Sequence, residues 1–258
     1  MKIGENRELQ DHVEAGLYDD LSPEAIAGQI KYQKKKFASV SKDSIRRYIK
    51  SVHGRRVEHY RNKRKRRRYW KRRSNSNKLK DRTFIDKRPK YINQRRRIGD
   101  AEADFMVSGK TGKGIILNVT DRKSRVTFLE QILLITIENV HKAFLRIKIR
   151  FPELKSITTD NDILLQKHKE LERLLNVRIY FCNPYSSWQK GTVENSNKYV
   201  RRDILKGSNI SKYSKRFIRS IEEKLNRRPL KVLGYLTPQE VLERSRKSKK
   251  HLRASKVE

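Results

Sequence analysis

Gly99-Asp100-Ala101-Glu102-Ala103-Asp104-Phe105-Met106-Val107 is the stretch on which the reading of this 258-residue chain turns. An extended strand sends successive side chains to opposite faces, so Asp100, Glu102 and Asp104 share one face while Ala101, Ala103 and Phe105 share the other. Three like charges on one sheet face repel unless something positive lies between them. An exposed strand edge would tolerate them, but the run continues into apolar Met106 and Val107, which favours a central strand.

Working outward, Gly114–Val119 and Val126–Leu129 read as two further strands, the second after the turn Asp121-Arg122-Lys123-Ser124. Residues 136–151 read as a helix with Val140, Phe144, Leu145 and Ile147 inward, and Leu154–Thr159 as a short strand. A helix over 166–176 (Leu171, Leu174 and Leu175 inward), a strand over 177–182 and helices over about 192–205 and 214–226 complete the series. Three strands in a meander, then alternating helices and strands, predict an α/β fold: a ribonuclease-H-like mixed five-stranded sheet with flanking helices. Its expected bounds are 99–243, with a basic tail at 244–258.

A small all-α module is expected before it, over 1–53. Leu9, Val13 and Leu17 form a helical stripe. Ser22-Pro23 starts a second helix that turns Ile26 and Ile30 inward. Ser41 starts a third, with Ile45, Tyr48, Ile49 and Val52 inward. The third helix leaves Lys42, Ser44, Arg46, Arg47 and Lys50 outside, which suits a helix-turn-helix laying its last helix in a DNA major groove. A plain three-helix bundle with a solvated face would show the same pattern.

Charge points the same way. The chain holds 65 Lys and Arg against 29 Asp and Glu, a net +36. Residues 54–98, with 21 basic and 3 acidic side chains, contribute half of that excess. Unpaired cations at this density cannot be packed inside a protein, so the segment reads as an extended basic arm or linker facing a polyanion. Arg66, Arg67, Arg68, Lys71, Arg72 and Arg73 are its candidate phosphate contacts, each neutralised phosphate being rewarded by counterion release, and Tyr69 and Trp70 could stack or wedge. No apolar run spans a membrane and no signal peptide is visible. The lone Cys182 and six scattered His residues argue against disulfides and structural zinc. A cytoplasmic, soluble nucleic-acid protein with no membrane partner is expected.

Two more acids stand out. Asp160 ends the Ile157-Thr158-Thr159 strand, where ligands gather in open sheets. Glu194 opens a helix on which Lys198 and Arg201 follow along the same face, with Val193, Val200 and Ile204 turned aside. Phosphodiester transfer needs the attacking oxygen activated and the leaving oxygen stabilised. Two Mg²⁺ ions about 3.5–4 Å apart, held by shared carboxylates, do both.

These residues resemble a known family. Ile98-Gly99-Asp100-Ala101-Glu102-Ala103-Asp104, Val119-Thr120-Asp121-Arg122-Lys123-Ser124-Arg125, Thr159-Asp160-Asn161 and the run Phe181–Asn195 are similar to the DDE transposases of the IS30 family. So are Asn226-Arg227-Arg228-Pro229 and Leu236-Thr237-Pro238-Gln239-Glu240. The likeness runs in consistent order over about residues 20–243, and the 33 residues between Asp160 and Glu194 match the family's spacing. Retroviral integrases share the fold and triad but carry an N-terminal His/Cys zinc module not seen here.

The resemblance implies Asp104, Asp160 and Glu194 as the catalytic, metal-binding triad, two Mg²⁺ per site with Mn²⁺ as substitute, and a structural, turn-capping Asp121. It implies double-stranded DNA partners (terminal inverted repeats and target) and a dimer or higher multimer. Lys190, Lys198 and Arg201 become expected DNA contacts. The sequence departs from the family's pattern at Asp100, Ala101 and Ala103, where the family often has His, Trp and Gly, and at Asp162, where it has Gly, and it lacks the family's usual further upstream helix-turn-helix. A disabled, DNA-binding regulator and a structure-specific nuclease on the same fold remain as alternatives.

Overall fold

The computed structural model describes residues 3–34, 36–63, 79, 81–109, 112–184 and 186–254. The chain divides into two compact units, residues 1–72 with 227–258, and residues 73–226.

The first unit begins with α1 (Arg7–Tyr18), α2 (Pro23–Tyr32) and α3 (Lys42–Lys50), each opened by the side chain of Asn6, Ser22 or Ser41 accepting a first-turn amide. Leu9, Val13, Leu17, Ile26, Ile30, Ile45 and Tyr48 form the buried core. Val52, expected inward, is exposed, because α3 stops at Lys50 and Ser51 takes extended geometry, so the helical repeat does not reach it. A fourth helix, α4 (Arg55–Lys63), packs Val57 into the same core, where the sequence predicted an extended arm. Tyr60, edge-on to Tyr18 at 5.2 Å, and Arg61, donating to the Leu21 carbonyl at 3.0 Å, hold the same helix.

In the second unit, a short helix α5 (Lys90–Asn93) precedes the sheet. Its strands are β1 (Asp100–Val107), β2 (Ile115–Asp121), β3 (Thr127–Ile132), β4 (Ser156–Thr159) and β5 (Arg178–Phe181), in the order β3-β2-β1-β4-β5. β1, β2 and β3 pair antiparallel, and β4 and β5 join parallel to β1. This mixed sheet is the ribonuclease-H-like arrangement, and the acid-bearing strand is central. The helices are α6 (Ile137–Arg150), α7 (His168–Leu175), α8 (Gly191–Asp203) and α9 (Lys215–Asn226). Leu145 is only half-buried and Leu174 is exposed, whereas His141, Ala143 and His168, not expected inward, are buried. Gly99 enters β1 at φ +112, and a Cβ there would lie 2.0 Å from the Glu153 carbonyl, so no other residue fits.

Both sheet edges are covered. Along β3, Asn226 donates to the Thr127 carbonyl and accepts its amide, each at 2.8 Å, and Glu222 accepts the Leu129 amide at 2.6 Å. Side chains of α9 thus stand in for a further strand. Along β5, the Phe181 amide donates to the Thr83 carbonyl at 2.8 Å. Leu79, Ile85 and Ile92 are buried, so the later part of the predicted arm is built into this unit.

Residues 227–254 group with the first unit, not with the sheet as the expected boundary at 243 had it. The Tyr235 ring fits against α2 because Gly28 has no side chain to exclude it, and it stacks on Tyr32 at 5.6 Å. Gln33 donates to the Gly234 carbonyl at 2.9 Å and Lys231 pairs with Glu24 at 3.0 Å. The last helix, α10 (Pro238–Ala254), runs through most of the predicted tail. It starts with a capping box: Thr237 accepts the Glu240 amide while Glu240 accepts the Thr237 amide.

Asn226→Ala strips partners from two buried backbone groups of β3. It is expected to lower stability by about 1–3 kcal/mol for each group left unpaired, measured by urea unfolding.

Candidate active site

The three acids of β1 face the same way, as their spacing predicts, and each meets a different cation. Asp100, fully buried, is gripped by Arg97 through two bonds of 2.9 and 3.0 Å and accepts the Ser156 hydroxyl at 2.6 Å. Glu102, also buried, pairs with Arg122 at 3.0 Å. Its other oxygen accepts the Thr192 and Val193 amides at 2.8 and 3.0 Å, which caps the first turn of α8. Asp104 alone keeps open access: its side chain is 26% exposed.

Asp160 follows β4 at the end of the strand next to β1. Lys190, in the turn before α8, places its ammonium 2.9 Å from Asp104 Oδ1 and 3.0 Å from Asp160 Oδ2. Burial works against the Lys190 charge, but the two aspartates outweigh it and hold its pKa above the ordinary lysine value. Asp104 Oδ2 accepts Asn197 at 2.6 Å, and the Asn197 carbonyl oxygen accepts Asn118, which lies opposite Asp104 in the β1–β2 register. Asp160 Oδ1 is buried with no hydrogen-bond partner. Two hard carboxylates around one cation, one of them with an orphaned oxygen, are donor chemistry suited to a divalent metal.

Glu194 sits on α8 between the amides held by Glu102 and the Asn197 that holds Asp104. Its side chain is 54% exposed and pairs with Lys198 at 3.4 Å. Among the described residues, no three His, Cys, Asp or Glu side chains are grouped closely enough to hold a metal. Asp104 and Asp160 are therefore brought together, and Glu194 is carried on the adjoining helix without closing on them. Asp162 has φ −78, so the turn asks for no left-handed residue and its aspartate is unstrained. Burial, then Asp160 and Asp104, raise its pKa. Asp121 caps its turn, accepting the Gly99, Lys123 and Ser124 amides and the Ser124 hydroxyl. Burial pushes the Cys182 thiol up to about 11, which argues against a reactive thiolate.

Of the expected DNA contacts, Lys42, Arg46, Arg47 and Lys50 are exposed on α3. Arg46 pairs with Asp43 at 2.9 Å, and Ser44 is half-buried, its amide bound to Ser41. Lys198 is exposed, and half-buried Arg201 donates to the Leu205 carbonyl at 3.3 Å. Lys190, expected as a DNA contact, has its ammonium on the carboxylates of Asp104 and Asp160. Arg66, Arg67, Arg68, Lys71, Arg72 and Arg73, with Tyr69 and Trp70, lie outside the described residues. Sequence reading missed Arg122 and Asn197 as partners of the acids. Asn197 was accessible, being three residues after Glu194 and so one helical turn along.

No helix among the described residues is long and apolar enough to cross a membrane. No family model matches the chain. The catalytic core domain of BIV integrase is 17% identical over 58% of this chain and 97% of that one, with a TM-score of 0.46. Transposase InsI of insertion element IS30A from Escherichia coli K12 is 36% identical over 63% of this chain, which spans 42% of that protein's length. The transposase of insertion element IS4351 from Bacteroides fragilis is 37% identical over 232 residues, 87% of this chain and 69% of that protein. Sharing 37% of the aligned residues with that relative along most of both lengths, this chain belongs to the IS30 family of insertion-sequence transposases.

Proposed function

We propose that this chain holds the terminal inverted repeats of an insertion sequence and performs metal-dependent strand cleavage and strand transfer with Asp104, Asp160 and Glu194. The observation that supports this most is the meeting of Asp104 and Asp160, distant in sequence, at one cation beside the helix that bears Glu194.

The three acids would hold Mg²⁺, with Mn²⁺ as substitute and two ions per site, whose charge activates an attacking oxygen and stabilises the leaving one. The chain's own groups prepare that arrangement. Glu102 pins α8 by its first amides, and Asn118 through Asn197 fixes the Asp104 carboxylate. Asp104 accepts two hydrogen bonds and keeps a solvent path, whereas Asp100 and Glu102 are buried and each already accept three, from arginines, a hydroxyl and backbone amides. Water attacks first at the element end and frees a 3′-hydroxyl. That hydroxyl then attacks a target phosphodiester, joining to its phosphorus as the target's 3′-oxygen leaves, with no covalent protein intermediate.

Binding falls to the basic surfaces. Lys42, Ser44, Arg46, Arg47 and Lys50 on α3 address the major groove of the repeat, while Lys198 and Arg201 flank the reacting strand. Arg66, Arg67, Arg68, Lys71, Arg72 and Arg73 neutralise phosphates along the arm. Two ends must be joined in one event, which calls for a dimer or higher multimer.

A labelled terminal-repeat duplex incubated with target DNA and Mg²⁺ or Mn²⁺ is expected to give both nicked and joined products. Hydrolysis without joining would mark a nuclease, and tight binding with neither product a regulator. Glu194→Gln, at an exposed position, is expected to leave stability within about 0.5 kcal/mol while abolishing both products. Glu102→Gln is expected to do the reverse kind of damage: Arg122 loses its buried partner, and unfolding free energy falls by about 3–5 kcal/mol, read in urea titrations.

A further inference from the structure

Lys190 is 7% exposed, and its ammonium is in contact with both aspartates of the site. An interior lysine is tolerated only when its charge is matched, and here two carboxylates match it with one negative charge in excess. That excess has an outlet: Asp160 Oδ1 is buried, bonded to nothing, and belongs to the same carboxylate that Lys190 holds through Oδ2. The pair thus attracts more positive charge than one ammonium supplies. A divalent ion on these two carboxylates and an ammonium on the same oxygens would set like charges side by side, so the two occupants exclude each other.

We infer that Lys190 is an internal counter-ion that competes with the divalent metal for Asp104 and Asp160, so that the metal enters only as the ammonium leaves. This rests on the metal-site reading proposed above. The lysine keeps two neighbouring aspartates from driving each other apart before metal arrives, and it sets the metal affinity low. An ordinary structural salt bridge would behave differently: removing it would loosen the aspartates and weaken metal binding.

The test uses the full chain, with Mn²⁺ binding followed by electron paramagnetic resonance and thermal unfolding followed with and without Mn²⁺. Lys190→Met is expected to bind Mn²⁺ at least about 10-fold more tightly than wild type, equivalent to about 1.4 kcal/mol, and to gain more in unfolding midpoint on adding Mn²⁺. Lys190→Arg, which keeps the charge, is expected to remain as weak a Mn²⁺ binder as wild type. If methionine prevents folding, Lys190→Gln carries the same expectations. Equal or weaker Mn²⁺ binding by the uncharged variant, with Asp160→Asn still abolishing it, overturns the competition and leaves the metal site standing. Mn²⁺ binding that survives Asp160→Asn in both backgrounds overturns the metal site and the competition together.

Discussion

The grip of the Glu102 carboxylate on the first turn of α8 is the contact on which the site depends. A helix start carries amides with no partner inside the helix and a partial positive charge, and a buried carboxylate satisfies both. With Arg122 on its other oxygen, Glu102 ties three pieces together: the central strand, the turn after β2 and the helix that bears Glu194. Release it, and neither Asn197 nor Lys190 has a fixed place from which to reach Asp104.

The same strand face shows how acids of one charge can share neighbouring positions. Arg97, Arg122 and Lys190 answer Asp100, Glu102 and Asp104 in turn, so the repulsion implied by their alternation is neutralised one residue at a time. Access grades along the strand, from two fully buried acids that each accept three hydrogen bonds to one with a solvent path. Chemistry at a carboxylate requires spare lone pairs, and that gradient is what supports proposing Asp104, rather than Asp100 or Glu102, for the reacting role.

Much of this was legible in the sequence wherever a periodic apolar pattern met a turn signal. The Leu9/Val13/Leu17 stripe, the Ser22-Pro23 start and the five strands all stand where their residue patterns put them. Legibility failed where a few apolar residues sat inside strong charge: Val57, Ile85 and Ile92 tie parts of the basic segment into cores that its composition hides. The Thr237–Glu240 capping box is a local helix-start signal of the kind read at Ser22. The division of labour among Asp100, Glu102 and Asp104 had no local signal at all, because it is set by which residue α8 lands on. Lys190 was singled out only as a DNA contact; its pairing with Asp104 and Asp160 had no local signal, because the fold alone brings the two aspartates to it.

The account stands or falls on whether Asp104 and Asp160 form a metal-binding pair. Crystals of the full chain grown with Mn²⁺ and measured at the manganese absorption edge address this directly. The prediction is an anomalous peak at bonding distance from both aspartates, with the Lys190 ammonium withdrawn and Glu194 turned toward the ion. An anomalous map with no peak at this pair, at a Mn²⁺ concentration that supports strand transfer, would contradict it.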